Sequence, residues 1–289
     1  MCAMTTVNHI LAAALCMLIA TTPVAAQGKS QAPGQAKKGT AAADSRIPAS
    51  STASSPTNTP SSSASSVIYY GSWLDDASIV PTGGAWVGLS TGYWKADALS
   101  QIDAPVISAV VGLNSRLQIG GSVPIYHFRD GSGLSESGIG NIAIYGKALI
   151  IDPATHASGI GVAVAPLVEI SSSSPDRIGW ALPLNVEIRR ERLRMYGSGG
   201  YFSRGSVFGS FAAEVPVGER VAITGTFGQS FANAGSHQTS LGVSAGLSVS
   251  STASFYIGLG KSFQPPAAGP GGTSLAGGAS FLLPSKRKP

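Results

Sequence analysis

The chain has 289 residues, a formal net charge of +5, only 11% charged residues and a mean hydropathy of +0.21. A soluble domain normally carries about a quarter charged residues, so the composition argues against an ordinary hydrated exterior. No apolar run reaches the roughly 20 residues that a membrane-spanning helix needs, and glycine is abundant at 37 residues, which together favour strands in an apolar setting.

The first 26 residues read as an export signal. Residues 10–20, "ILAAALCMLIA", are apolar but too short to span a bilayer as a helix, and Val24, Ala25 and Ala26 supply small residues before a cleavage point. No Lys or Arg precedes Lys29, so the usual positive start is missing. Both cysteines, Cys2 and Cys16, fall inside this segment, which leaves the mature chain without a disulfide or a thiolate metal site. Residues 27–66 are Ser, Ala, Pro and Thr with almost nothing to bury, and are expected to be a disordered linker. Residues 67–83 lead into the first strand, and residues 285–289 form a basic tail. The basic balance comes partly from the linker and this tail, so no nucleic-acid partner is expected.

From residue 84 the chain breaks into segments with period-two patterning. Strands are expected at 84–96, 103–113, 117–128, 138–151, 159–172, 178–190, 193–203, 207–217, 220–231, 240–250, 254–263 and 274–283, about twelve in all. Alternate connections are tight: "NSR", "ER", "GE", "STA" and the slightly longer "DPATHAS". Those between are mostly longer, with "RGS" after Ser203 a short exception. Short turns at one end and longer loops at the other mark an antiparallel up-and-down transmembrane β-barrel, with both termini at the periplasmic, short-turn end. The expected setting is therefore the outer membrane of a Gram-negative bacterium.

Parity sharpens this reading. In residues 178–190, Ile178, Trp180, Leu182, Leu184, Val186 and Ile188 share one face, with Asn185, Glu187 and Arg189 opposite. The same split sets Asn141, Tyr145, Lys147, Glu169 and Glu214 against apolar partners, and adds Arg194 to the polar side. Parity alone does not say which face is inside. A polar side crowded with Gly, Ala and Ser suits a confined lumen better than a solvated exterior. These nine residues are the lumen-facing candidates, where they either tune a pore or brace its wall by pairing. In a wet lumen Asn185→Arg is expected to cost little, whereas Leu184→Arg puts a charge into lipid. Tyr93, Trp94, Tyr126, Trp180, Tyr196, Tyr201 and Tyr256 lie near segment ends, where aromatic girdles form. Three strand residues break the pattern: Val106 and Val110 share parity with Ser108, and Lys261 shares parity with Leu259.

Residues 112–150, "GLNSRLQIGGSVPIYHFRDGSGLSESGIGNIAIYGKALI", carry a family likeness. The pieces are Gly112-Leu113, Arg116-Leu117, Gly120, Pro124, then Gly138 to Ile142 and Lys147. This stretch resembles the outer-membrane barrels grouped as the phenol-degradation meta-pathway, or transporter-like, family. Asn141 stands where the family usually has Asp. The resemblance implies an outer-membrane barrel, a channel for small and often hydrophobic compounds, and no catalytic residues. Gly278 to Leu283, "GASFLL", resembles the terminal-strand signal read by the barrel-insertion machinery, with Leu283 in place of the usual aromatic.

Motifs for chemistry are lacking. "GLGKS", residues 258–262, has the letters of a phosphate loop, but Phe255 stands where its first glycine belongs and the pattern is a strand. His127 and His237 fall toward the loop end and His156 in a short turn, so they cannot share a metal. His127 has no identifiable Ser partner, as a lipid-facing hydrolase would need. Neither an enzyme nor a cofactor or metal is expected. The expected partner is the bilayer, with a small solute in the lumen. The alternatives are a structural or partner-binding barrel without transport, and an exported soluble β protein.

Overall fold

The structure is a computed structural model, and it describes residues 74–97, 99–156, 159–171, 178–190, 192–203, 205–232, 237–263 and 271–284. The export signal, the linker at 27–66 and the basic tail lie outside the described residues.

Every regular element among the described residues is a strand: β1 (Ala85–Ala96), β2 (Leu99–Gly112), β3 (Leu117–Arg129), β4 (Ser135–Ile139), β5 (Ile142–Ile151), β6 (Ile160–Val164), β7 (Leu167–Ile170), β8 (Ile178–Arg190), β9 (Leu193–Phe202), β10 (Ser206–Val217), β11 (Val221–Ala232), β12 (His237–Ser250), β13 (Ala253–Phe263) and β14 (Thr273–Leu283). Except for β4 with β5 and β6 with β7, neighbours in sequence pair antiparallel, and β14 closes on β1 from Ala85↔Leu283 to Lys95↔Thr273. Closure leaves no sheet edge, which a bilayer requires.

The fourteen segments make twelve barrel strands, because two strands are each interrupted. β4 and β5 both pair with β3, and they part at Gly140 and Asn141 opposite Pro124. β6 and β7 both pair with β5 and β8, and they part at Ala165 and Pro166. Proline offers no N–H to the ladder, but its carbonyl still accepts from Gly146 N at 2.9 Å, and Ala165 N donates to Pro183 O at 3.0 Å. An apolar hollow of about 370 Å³ lies at this second break, between Ile119, Ile144, Pro166, Trp180 and Leu182.

Burial settles which face is inside. Leu184 is 47% exposed and Asn185 is wholly buried. The same alternation runs round the barrel: Leu89, Ile107, Ile144, Phe211, Ile223, Leu241, Ile257 and Phe281 stand outward, while Ser108, Lys147, Glu214, Thr224, Ser244, Ser254 and Ser280 point in. An apolar exterior round a polar interior is the inverted arrangement of a transmembrane barrel. Val106 and Val110 are buried beside Ser108, beyond a register shift between Asp103 and Val106. Lys261 stands outward near the loop end, 5.6 Å over the Phe263 ring.

Two expectations need correction. β2 starts at Leu99, not residue 103, and pairs Leu99 with Ala96, so the first loop-end connection is as tight as a turn. The aromatic residues do not all form girdles. Tyr93, Trp180 and Tyr201 stand outward, Trp180 and Tyr201 with ring centroids 5.9 Å apart, whereas Trp94 and Tyr196 are buried inside. Tyr126 and Tyr256 are half-buried on the inward parity. Rings on that parity fill lumen space instead of marking an interface.

Candidate functional site

The inward parity of β5, β7, β8, β9 and β10 carries most of the inward charged side chains, and Asp103 on β2 is buried as well. Lys147 and Tyr145 lie on β5, Glu169 on β7, Asn185, Glu187 and Arg189 on β8, Arg194 on β9 and Glu214 on β10. All are buried except Arg189, which is half-buried. Asn141, at the break before β5, donates from Nδ2 to Glu169 Oε1 at 3.1 Å. Tyr145 packs in an apolar cluster.

Residues 74–81 run into this interior before β1 begins. Val80 N donates to Gln118 Oε1 at 2.7 Å, and Gly83 N to Gly112 O at 2.8 Å. A Cβ on Gly112 would sit 2.3 Å from Val80 O, so only glycine admits the segment here. Ala77 is wholly buried and packs near Gly161.

The segment carries two carboxylates into the wall's cations. Lys147 Nζ donates to Asp75 Oδ1 at 2.8 Å, to Asp76 Oδ1 at 3.4 Å, and to the carbonyls of Asp76 and Ser78 at 3.1 Å each. Asn185 Nδ2 donates to Asp75 Oδ2 at 2.9 Å, and Asp75 N donates to Ser198 Oγ at 2.7 Å. Arg194 bonds Asp76 through one terminal nitrogen and donates from Nε to Glu187 Oε1 at 2.7 Å. Glu187 also accepts from Ser78 Oγ at 2.9 Å and Arg189 Nε at 2.5 Å. One network thus ties β5, β8, β9 and β10 to the segment. Asp75 occupies the space beside Asn185, so Asn185→Arg acts on the segment rather than on an open lumen.

The ion pairs join four carboxylates (Asp75, Asp76, Glu187, Glu214) to three cations (Lys147, Arg189, Arg194). Among the described residues these pairs hold one carboxylate more than they hold cations. Burial, reinforced by the neighbouring Asp76 and opposed by Lys147, pushes the Asp75 carboxyl up to about 6.

The rest of the interior differs. Val80, Trp86, Val110, Tyr145, Phe202 and Phe208 belong to one buried apolar cluster. The wall from β12 to β14 presents small hydroxyls instead, among them Ser240, Ser244, Ser254 and Ser280.

His127 does have a Ser partner: its Nδ1 lies 2.5 Å from Ser137 Oγ, across the β3–β4 pair. Sequence alone does not reveal it, because the pairing spans the β3–β4 loop and depends on the strand register. Among the described residues no carboxylate or amide orients the far side of the imidazole, as an activated nucleophile requires. Among them, too, no group of His, Cys, Asp and Glu is arranged to hold a metal ion. His156 lies in the turn between β5 and β6, and His237 begins β12, stacked on Phe231.

No protein-family model matches the chain, and no curated protein matches it in sequence. Solved structures do match in fold. An outer-membrane channel from Pseudomonas putida superposes with a TM-score of 0.59, over 72% of this chain and 98% of its own, at 10% identity. The KdgM porin gives 0.51 over 67% and 98%, at 7% identity. The NanC porin gives 0.51 over 68% and 98%, at 8% identity. What this chain shares with them is the fold of outer-membrane barrels.

Proposed function

We propose that this chain is an outer-membrane channel for small solutes, with both termini periplasmic and residues 74–81 narrowing its passage. The observation that carries the reading is the closed barrel with an apolar exterior and a polar interior. A purely structural barrel would have no use for a lumen wall of small hydroxyls from β12 to β14. Apart from Tyr256, that wall leaves the side opposite the charged network without bulky side chains, and the solute passes along it. The cluster of Trp86, Val110, Tyr145, Phe202 and Phe208 supports a solute with apolar character. This agrees with the resemblance of residues 112–150 to the phenol-degradation, transporter-like barrels. The barrel acts without catalysis or a cofactor. Signal cleavage, Sec export and insertion through Gly278–Leu283 belong to the same proposal.

Liposome swelling tests it. Proteoliposomes of the refolded protein are expected to swell in small solutes faster than empty liposomes, with the rate falling as solute size grows. Swelling no faster than the lipid control contradicts a channel.

A further inference from the structure

The lysine at the centre of the network has no partner on the wall. Among the described residues, every hydrogen bond of the Lys147 ammonium goes to Asp75, Asp76 or Ser78, and its side chain is wholly buried. A buried ammonium needs an anion. Here the anion is supplied by a segment that is not part of the barrel.

The residue before the two carboxylates is also held. Leu74, 1% exposed, packs against Tyr196 and Ala212. The wall around it keeps unused polar atoms: the Tyr196 hydroxyl and Asn185 Oδ1 are buried without a hydrogen-bond partner. Buried polar atoms are normally satisfied, so their presence marks a pocket that its current occupant does not fill completely. Arg189 and Arg194 also pair with Glu187 on the wall, whereas among the described residues both ion pairs of Lys147 lie on the segment.

We propose that Lys147, Arg194, Asn185 and Tyr196 form a binding site for a small carboxylate with an apolar body, and that Leu74, Asp75 and Asp76 occupy it in its place. The isobutyl group of Leu74 stands for the apolar body and the Asp carboxylates for the acid. The proposal rests on the channel reading for its consequence, because it names the class of solute that the lumen holds. A tethered occupant competes at an effective concentration of about millimolar or above, so the intact chain binds such a solute weakly until the segment withdraws.

The test uses hexanoate as probe and hexanamide as its neutral counterpart, with the full chain folded in detergent and titrated by calorimetry. The variant Leu74→Ala, Asp75→Ala, Asp76→Ala empties the site. It is expected to bind hexanoate about tenfold or more tightly than the unaltered chain does, and to ignore hexanamide. Adding Lys147→Met should abolish the gain. Replacement of residues 74–80 by glycine and serine serves if the triple variant does not fold, with the same pattern expected. Equal binding of hexanoate and hexanamide, or binding indifferent to Lys147→Met, overturns the site. Hexanoate binding in a barrel that passes no ions supports the site and contradicts the channel. Ion passage without hexanoate preference overturns the site and leaves the channel standing.

Discussion

Lys147 Nζ lies 2.8 Å from Asp75 Oδ1, across 72 positions of sequence, and this contact joins the barrel wall to a segment outside the barrel. Breaking a buried ion pair from one side costs about 3–5 kcal/mol, because the other charge is left uncompensated. Lys147→Met removes the cation that Asp75 pairs with and leaves Asp76 to Arg194. The segment should leave the lumen while the barrel stays folded. Limited proteolysis is expected to cut near residue 76 in the variant far faster than in the unaltered protein, with the strands still resistant.

Leu184 and Asn185 are adjacent in β8 and meet opposite surroundings. Leu184→Arg places a charge in hydrocarbon near the middle of the strand and should destabilise the folded barrel by roughly 2–4 kcal/mol. Asn185→Arg acts differently. It sets a third cation beside Lys147 and Arg194 and takes the space of Asp75, so it should expel the segment and spare the barrel. Urea unfolding in liposomes separates the two: a shifted midpoint for Leu184→Arg, and a nearly unchanged one for Asn185→Arg.

Segment docking should depend on pH through Asp75. Its carboxyl sits at about 6 when docked, above the ordinary value of 3.8. The docked state therefore binds the extra proton, and its added stability is fully present below about pH 4. That stability falls as pH rises through about 6 and is flat above. Hydrogen exchange at Ser78, corrected for intrinsic rate, should be more protected at pH 5 than at pH 7.5. Asp75→Asn should remove the difference.

Most of the strand plan was legible because lipid imposes one rule on every strand: alternate residues must be apolar. That rule set the bounds of β8 at Ile178 and Arg190 as read from parity. It could not reveal the break at Pro166, which keeps the alternation, whereas at Gly140 the outward face shifts from Ile139 to Ile144 by an odd number of residues. It missed the start of β2 because residues 99–102 alternate weakly. The polar parity separated Asn185, Glu187 and Arg189 from their apolar neighbours, but not what they touch. Residues 74–81, "LDDASIVP", have no period, and only the Asp pair in a chain poor in charge hinted at a partner. Two glycines in the stretch that carries the family likeness have local reasons. Gly112 lets the segment pass, and a Cβ on Gly120 would lie 2.7 Å from the Tyr145 hydroxyl.

Export should remove residues 1–26. Val24 and Ala26 offer the peptidase the small side chains it accepts. Intact mass of the protein purified from outer membranes is expected to give Gln27 as the first residue. A first residue at Met1 or Met4 contradicts an export signal.

The central claim is a lumen that conducts and that residues 74–81 narrow. Single-channel recording in planar bilayers tests it most directly, comparing the unaltered chain with one in which residues 74–80 are replaced by glycine and serine. The account predicts small steps for the first and several-fold larger steps for the second, with the larger steps favouring anions because Lys147 and Arg194 are uncovered. Equal steps from both chains, or none from either, would contradict it.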